Sequence, residues 1–246
     1  MNRFRIDMAY NGKNFSGFQI QPNKRTIQEE IEKVLSFLLK ENVKIYASGR
    51  TDAGVSALCQ VAHFDTEKEI IEKKLLDSLN ALLPNDISIL KVESVSGEFD
   101  ARFSAKKKTY RYHFYISKYS HPIFDEYATR IYDYADVNLM QEACKYFIGT
   151  FDFKSFVSKK SGKTDFVRTV YDAKIISLEN GIYAFEITGN GFLYNMVRII
   201  FGTLTQVGYG KIKPQDVVKI IDGQDRSLSG RTMPSKALML KNVDYN

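Results

Sequence analysis

The residues best suited to chemistry lie in one short stretch, 47–55, which reads Ala-Ser-Gly-Arg-Thr-Asp-Ala-Gly-Val. Arg50 and Asp52 are its two charged residues, and the small residues around them would let a backbone or a planar ligand approach closely. Such a pair could supply a nucleophilic carboxylate beside an anion-binding guanidinium. An ordinary turn is the competing interpretation, because Asp and Gly favour turns and Arg50 could merely offset the charge of Asp52.

A second candidate is the aromatic segment 109–115, whose alternation places its residues on two faces of a strand. One face would carry Tyr110, Tyr112 and Phe114, and the other Arg111, His113 and Tyr115. An aromatic face can stack unpaired bases, as in split βαβ sheets that bind RNA. Aromatic residues in strands are more often part of the core, so the segment could serve either purpose.

Arg198 is the third candidate, because it lies between Val197 and Ile199 in a strongly apolar helical stretch. A guanidinium in such surroundings either extends to solvent or pairs with a buried carboxylate. The apolar context favours the pair.

Helices and strands must position these candidate residues, and the hydrophobic periodicity predicts the order of those helices and strands along the chain. The first part of the chain should contain a strand at 3–10, a helix opened by the capping box Thr26-Ile27-Gln28-Glu29, strands at 43–48 and 58–65, a helix at 67–82 and a strand at 87–95. The second part should contain a strand at 109–116, a helix around 137–148, a hairpin turning at Asn180-Gly181, a helix at about 192–207, a short helix after Pro214 and a strand at about 237–243.

Both parts follow the order strand, helix, strand, strand, helix, strand, which is the split βαβ arrangement of ferredoxin-like folds. We therefore expect an α+β protein with two tandem ferredoxin-like halves, 1–105 and 106–246. They should form one extended, mostly antiparallel sheet with helices on one face and a catalytic cleft on the other.

A tetrapeptide recurs in the two halves: Ser-Gly-Arg-Thr occupies 48–51 and again 229–232. Met233 follows the second copy, where Asp52 follows the first. We interpret the recurrence as coincidence.

The net charge of +6 and the isoelectric point near 9.1 favour a polyanionic partner, because Lys and Arg that neutralise phosphates release counterions. The densest basic runs are 106–108 and 159–163. Each could hold phosphates or form a solvated surface.

Cysteine usage and apolar patterning indicate the compartment. Cys59 and Cys144 are far apart in the sequence, which argues against a disulfide framework and a zinc site. The first residues alternate charged and apolar side chains, unlike a signal peptide, and no apolar run reaches membrane-spanning length. We expect a cytoplasmic protein.

Residues 49–55, Gly-Arg-Thr-Asp-Ala-Gly-Val, resemble the signature of the tRNA pseudouridine synthase A family. Further segments similar to that family follow in order along nearly the whole chain. They are Tyr10-Asn11-Gly12 through Gln19, Gln60-Val61-Ala62-His63-Phe64, Leu83-Pro84-Asn85-Asp86-Ile87, Ala101-Arg102-Phe103-Ser104-Ala105, Tyr110-Arg111-Tyr112 and Asn195-Met196-Val197-Arg198. Such ordered agreement is far more specific than any one motif.

The resemblance implies a specific reaction and specific roles. The reaction would convert uridine to pseudouridine in the anticodon stem and loop of tRNA, at positions 38 to 40, without cofactor or metal. Asp52 would be the catalytic carboxylate, attacking either base or sugar, and Arg198 would pair with it. Tyr110 would stack on the flipped uracil and could assist removal of its ring proton. Arg50 would hold the displaced nucleotide or its phosphate.

The family is typically a homodimer with tRNA lying across both subunits, and neither DNA nor a membrane is an expected partner. Four positions depart from the usual residues of the family: Phe18 replaces Trp, Ile20 a basic residue, Ser56 a His and Asp100 a His. None removes the proposed nucleophile. They leave open how tRNA is gripped and which uridines are modified, and they would suit a divergent paralogue with narrowed specificity.

Two other classes of protein stay open. A non-catalytic RNA-binding protein with paired split βαβ units would share the basic charge and the aromatic strand, although Asp52 would repel its phosphates. A metal-dependent nuclease or phosphotransferase using Asp52 and Asp65 would need clustered carboxylates and, often, histidine ligands. The three histidines lack ligand spacing: His63, His113 and His121.

Overall fold

The computed structural model describes residues 1–158 and 164–246. The basic run predicted at 159–163 therefore lies outside the described residues. Within the described ranges, the structure contains no helix that combines the length and the apolar character needed to cross a membrane.

The described chain forms two compact units, and both combine helices with strands. The first comprises residues 1–106 and 239–246, and the second comprises residues 107–238. The first contains β1 (Asn2–Tyr10), α1 (Ile27–Leu39), β2 (Tyr46–Ala47), β3 (Ser56–Thr66), α2 (Glu72–Leu82) and β4 (Ile87–Val95). The second contains β5 (Lys107–Ile116), β6 (Thr129–Ile131), α3 (Val137–Cys144), β7 (Gly149–Asp152), β8 (Val167–Ser177), β9 (Ile182–Gly189), α4 (Met196–Gly208) and α5 (Val217–Asp222). The last strand, β10 (Leu238–Asp244), lies in the first unit apart from its first residue.

Strand pairing in each unit is mostly antiparallel. In the first unit β1 lies between β3 and β4 and is antiparallel to both, while β2 and β10 pair with β3. In the second unit the order is β5-β9-β8-β7, with every neighbour antiparallel and β6 added in parallel to β5. The α+β class and the mostly antiparallel pairing are confirmed. The proposed division at residue 105 stays a prediction, and β10 pairs with β3 of the first unit.

The first helix begins where its cap predicts. Thr26 precedes α1, and its hydroxyl oxygen accepts a hydrogen bond from the N–H of Glu29 at 3.4 Å. Ile27, Ile31 and Leu35 are buried on one side of the helix, as the spacing of apolar residues indicates.

The strand predicted at 43–48 is mostly wrong, since only the two residues of β2 pair with β3. The N–H of Val43 donates to the hydroxyl of Ser36, and the N–H of Ile45 donates to the carboxylate of Glu32, both at 3.0 Å. Side chains of α1 therefore accept the hydrogen bonds that a neighbouring strand would otherwise have taken.

Two helices begin later than predicted. α2 begins at Glu72 rather than 67, after an irregular segment. α4 begins at Met196 rather than 192 because Asn195 has a left-handed backbone, with φ of 62°, which a continuous right-handed helix cannot contain. The short strands β6 and β7 correspond to no predicted element.

The predicted hairpin is confirmed between β8 and β9. Asn180 and Gly181 both have positive φ, 58° and 76°. Asn and Gly are the residues that adopt this backbone most readily, so they stabilise the tight reversal between the two strands.

Aromatic side chains form much of the core of the second unit. The rings of Tyr112 and Phe201 stack with their centroids 4.4 Å apart, and Phe114 and Phe185 lie within 6.0 Å of the same Phe201 ring. All four are fully buried. For Tyr112 and Phe114, the interpretation of the aromatic strand as core is therefore confirmed.

His113 faces away from this aromatic cluster and is also buried, with 8% of its surface exposed. Its Nδ1 atom lacks a hydrogen-bond partner among the described residues. Burial, together with the smaller effect of the Arg111 charge, lowers the pKa of His113 from 6.5 to about 4, while Glu186 opposes the change. Between those two values the unfolded chain binds a proton that the folded chain does not, so stability should fall as the pH falls.

Replacement of His113 should therefore flatten the pH dependence of stability. Between pH 7.5 and pH 5, the free energy of unfolding of wild type should fall by about 2 kcal/mol more than that of His113→Leu. Urea unfolding at the two pH values measures this difference. His121→Leu is the matched control, because His121 is exposed. Parallel pH profiles for wild type and His113→Leu would contradict this account of His113.

Candidate active site

The loop that carries Asp52 connects β2 to β3, and hydrogen bonds hold its first part to β3. The N–H of Ser48 donates to the carbonyl of Val61 at 2.7 Å, and its hydroxyl donates to Oε1 of Gln60 at 2.6 Å. The side-chain amide of Gln60 donates in turn to the carbonyl of Gly49 at 2.9 Å. Because Gln60 is fully buried, these bonds are shielded from water and fix where the loop begins.

Thr51, immediately before Asp52, is fixed on two sides. Its hydroxyl lies 2.8 Å from that of Tyr10, and its carbonyl accepts from the N–H of Phe18 at 3.0 Å. Burial raises the pKa of Tyr10 to about 12, so its hydroxyl keeps the proton that this contact uses. After Asp52, the N–H of Val55 donates to the Asp52 carbonyl at 3.1 Å and closes the turn.

Two glycines let the segment 12–18 lie directly against this loop. A Cβ atom at Gly17 would lie 2.9 Å from the carbonyl oxygen of Thr51, and φ of +99° at Gly17 already disfavours other residues. A Cβ atom at Gly12 would lie 2.2 Å from the carbonyl oxygen of Val55. The close approach therefore requires glycine at both positions.

The Asp52 side chain is partly exposed although the residues on either side of it are fixed. Arg50, two residues earlier, is exposed. The loop thus presents a carboxylate and a guanidinium at the surface of the first unit on a backbone with little freedom to move, as a nucleophile or base requires.

The predicted tyrosine lies in the second unit. Tyr110 is on β5 and is partly buried. Its ring and the ring of Phe192 meet edge to face, with centroids 5.3 Å apart and an interplanar angle of 84°. Phe192 lies three residues before Asn195, where α4 is capped. The contact sets the orientation of the Tyr110 ring.

Arg198 lies in the first turn of α4 and is oriented by two acceptors. Its Nε donates to the carbonyl of Met233 at 2.6 Å, and one terminal nitrogen donates to Oδ1 of Asn195 at 2.6 Å. The amide of Asn195 donates to the hydroxyl of Ser158 at 2.8 Å, which holds its oxygen toward the guanidinium. The pairing of Arg198 with a carboxylate stays a prediction.

The second Ser-Gly-Arg-Thr copy contributes to the placement of Arg198. A Cβ atom at Gly230 would lie 2.2 Å from the backbone of Gly202 in α4, and one at Gly202 would lie 2.0 Å from the carbonyl of Arg231. The N–H of Gly230 also donates to the hydroxyl of Thr203 at 2.8 Å. The segment therefore crosses α4 in backbone contact, and Met233 follows it directly.

Sequence reasoning assigned no role to Asn195, Met233 or Phe192. The spacing of three residues between Asn195 and Arg198 was the available signal, because side chains three apart on a helix are neighbours. The contacts of Met233 and Phe192 join segments distant in sequence, which local patterns do not indicate.

Two residues considered for a metal-dependent nuclease, Asp65 and His63, form contacts of their own. Asp65 forms two hydrogen bonds with Arg3, both 2.7 Å long. The Arg3 guanidinium holds the pKa of the Asp65 carboxyl below its usual value, although burial opposes this. His63 uses Nδ1 to accept from the N–H of Ala101 at 3.0 Å. In the described parts of the chain, His, Cys, Asp and Glu form no group of three or more that could hold a metal ion.

Comparison with known proteins gives one consistent result. The family model described as tRNA pseudouridine synthase matches residues 8–104 and 143–246. The tRNA pseudouridine synthase A 1 of Bacillus cereus is 46% identical over 250 residues, with 100% of both chains covered. The tRNA pseudouridine synthases A of Caldicellulosiruptor saccharolyticus and Bacillus subtilis are each 44% identical, covering 100% and 99% of both chains. This chain therefore belongs to the tRNA pseudouridine synthase A family and is a pseudouridine synthase, an isomerase.

Proposed function

We propose that this enzyme isomerises uridines in the anticodon stem and loop of tRNA, at positions 38 to 40, through the carboxylate of Asp52. The observation that carries the proposal is the partly exposed acid on a loop whose backbone is fixed by Tyr10, Phe18 and the buried Gln60. A solvated surface turn would need none of these contacts. The family supplies the reaction, and the loop supplies a suitable nucleophile.

The chemistry needs no external reagent. The bond from N1 to C1′ breaks, a bond from C5 to C1′ forms, and overall one proton leaves C5 while one is gained at N1. Atoms and electrons are conserved within the nucleotide, so a carboxylate and a route for one proton suffice. The Asp52 carboxylate could attack the base or the sugar carbon, and both routes use the same fixed loop.

The other proposed residues act around that carboxylate. Extruding a stacked uridine costs a few kcal/mol, which stacking on Tyr110 and a contact from Arg50 would offset. We assign Arg198 to pair with Asp52, because a carboxylate in a site that excludes water stays ionised more readily beside a guanidinium. The bonds of Arg198 to Asn195 and Met233 would keep its guanidinium in one orientation.

The proposal also includes a homodimer in the cytoplasm, with tRNA as the nucleic-acid partner and neither DNA nor a membrane. The net charge of +6 supports a polyanionic partner. Cys59 and Cys144 are thiols and not a disulfide, as a reducing compartment favours.

Asp52→Asn should reduce pseudouridine formation by at least about 1000-fold, because an amide keeps the shape of the side chain but is a far weaker nucleophile. Affinity for tRNA should change little, because Asn adds no repulsion toward phosphates. The measurement is single-turnover conversion of an unmodified tRNA transcript, together with a binding titration.

Asp77→Asn serves as the control, since Asp77 is an exposed carboxylate on α2 in the same unit. Conversion by Asp52→Asn at the control rate would remove Asp52 from the mechanism. A wild-type protein that binds tRNA but converts no uridine would support the non-catalytic alternative. Loss of conversion on adding EDTA would support a metal-dependent enzyme instead.

Arg198→Lys should lower the single-turnover rate on the order of 10- to 100-fold with a smaller change in affinity. Lysine keeps the positive charge but has no planar group that can bond Met233 and Asn195 and still face a carboxylate. Asn195→Ala should slow wild type but add little to Arg198→Lys, because both changes act on one guanidinium. Additive losses in the double variant would show that Asn195 acts independently of Arg198.

A further inference from the structure

The segment 100–104 forms a tight turn whose base is buried in the first unit. Ala101 has no exposed surface, and both of its backbone polar groups are used. Its N–H donates to Nδ1 of His63 at 3.0 Å, and its carbonyl accepts from the hydroxyl of Tyr245 at 2.7 Å. The base of the turn is thus fixed to β3 and to the end of the chain.

Asp100 shapes the rest of the turn. One carboxylate oxygen accepts from the N–H of Arg102 at 2.7 Å and from the N–H of Phe103 at 2.8 Å. Burial opposes ionisation, but these two N–H groups hold the pKa of the Asp100 carboxyl below its ordinary value. The N–H of Ser104 donates to the carbonyl of Asp100 at 2.9 Å and closes the turn.

This ordered turn points two side chains at solvent. Phe103 is 79% exposed, more than any other large hydrophobic residue in the described chain except Met1. Arg102 is also exposed, and its guanidinium carbon lies 5.3 Å from the centre of the Phe103 ring. A rigid backbone that holds an aromatic ring in water beside a cation needs a reason, because such a ring is usually buried.

A nucleotide fits this pair better than a protein surface does. The other exposed residues of the segment 96–106 are polar, charged or glycine: Ser96, Gly97, Glu98 and Lys106. One aromatic ring offers about 200 Å², far short of the roughly 800 Å² per partner in a stable protein interface. A base needs only one ring face, and its phosphate needs one cation.

We propose that Phe103 stacks on an unpaired base of the bound tRNA and that Arg102 neutralises a neighbouring phosphate. This contact rests on the proposed function, because tRNA supplies the base. Tyr110 is the ring assigned to the reacting uridine, so the base on Phe103 belongs to a different nucleotide.

The absence of tryptophan from the sequence allows a direct test. Phe103→Trp creates a protein with one indole, whose fluorescence should fall on the order of twofold when unmodified tRNA binds and stacks on it. Phe37→Trp is the matched control, because Phe37 is 71% exposed on α1 of the same unit and should respond little. Equal responses of the two indoles would overturn the proposal.

Affinity provides a second measurement. Phe103→Ala should raise the Kd for tRNA roughly 5- to 100-fold, because it removes the stacking ring. Phe103→Tyr should keep most of the wild-type affinity, and Phe37→Ala should leave the affinity unchanged. Arg102→Gln should reduce the slope of log Kd against log salt by about 0.7 to 0.9, which corresponds to one phosphate. A Phe103→Ala variant that binds like wild type would refute the stacking role. A change in its sedimentation would reassign the ring to a contact between copies of the chain.

The two proposals fail in different ways. Stacking at position 103 does not require the Asp52 carboxylate. The double variant Asp52→Asn with Phe103→Trp should therefore show the same fluorescence change on binding tRNA as Phe103→Trp alone. A wild-type protein that neither binds nor converts tRNA would defeat the proposed function. If wild type converts tRNA normally but the Phe103 variants show no change in fluorescence or affinity, only the stacking contact is refuted.

Discussion

The contact between Gly17 and Thr51 is the constraint on which the proposed site depends. A nucleophile must be reachable by substrate, yet its backbone must not move. The chain meets both requirements by placing buried partners behind residues 48–51 and leaving the Asp52 side chain partly exposed. Glycine at 17 is what allows the supporting backbone to come within contact distance.

Arg198 is held by an equivalent arrangement in the second unit. Gly202 and Gly230 allow a loop to cross α4 in backbone contact, and the carbonyl of Met233 then accepts from the guanidinium. The left-handed Asn195 ends the preceding turn and supplies the second acceptor. Both proposed catalytic side chains therefore depend on pairs of glycine-mediated contacts and not on the regular elements alone.

Regular elements could be predicted from sequence because their signals are local. The cap at Thr26 and the reversal at Asn180 and Gly181 act within a few residues, and both are confirmed. The strand predicted at 43–48 failed because acceptors from α1 replaced strand partners. Likewise, residue types identified Asp52 and Arg198 as candidates, but their supporting contacts join distant segments that no periodicity reveals.

The four residues that depart from the family's usual pattern differ in their structural surroundings. Phe18 is buried beside Tyr10, and the Ser56 hydroxyl accepts from the N–H of Gly12 at 3.0 Å, so both support the Asp52 loop from within. Asp100 shapes the turn that exposes Phe103. Ile20 is the only one of the four residues that is exposed, whereas Ser56 and Asp100 are partly buried. Three of the four therefore make contacts that support either the Asp52 loop or the turn carrying Phe103, and none of the four removes the proposed nucleophile.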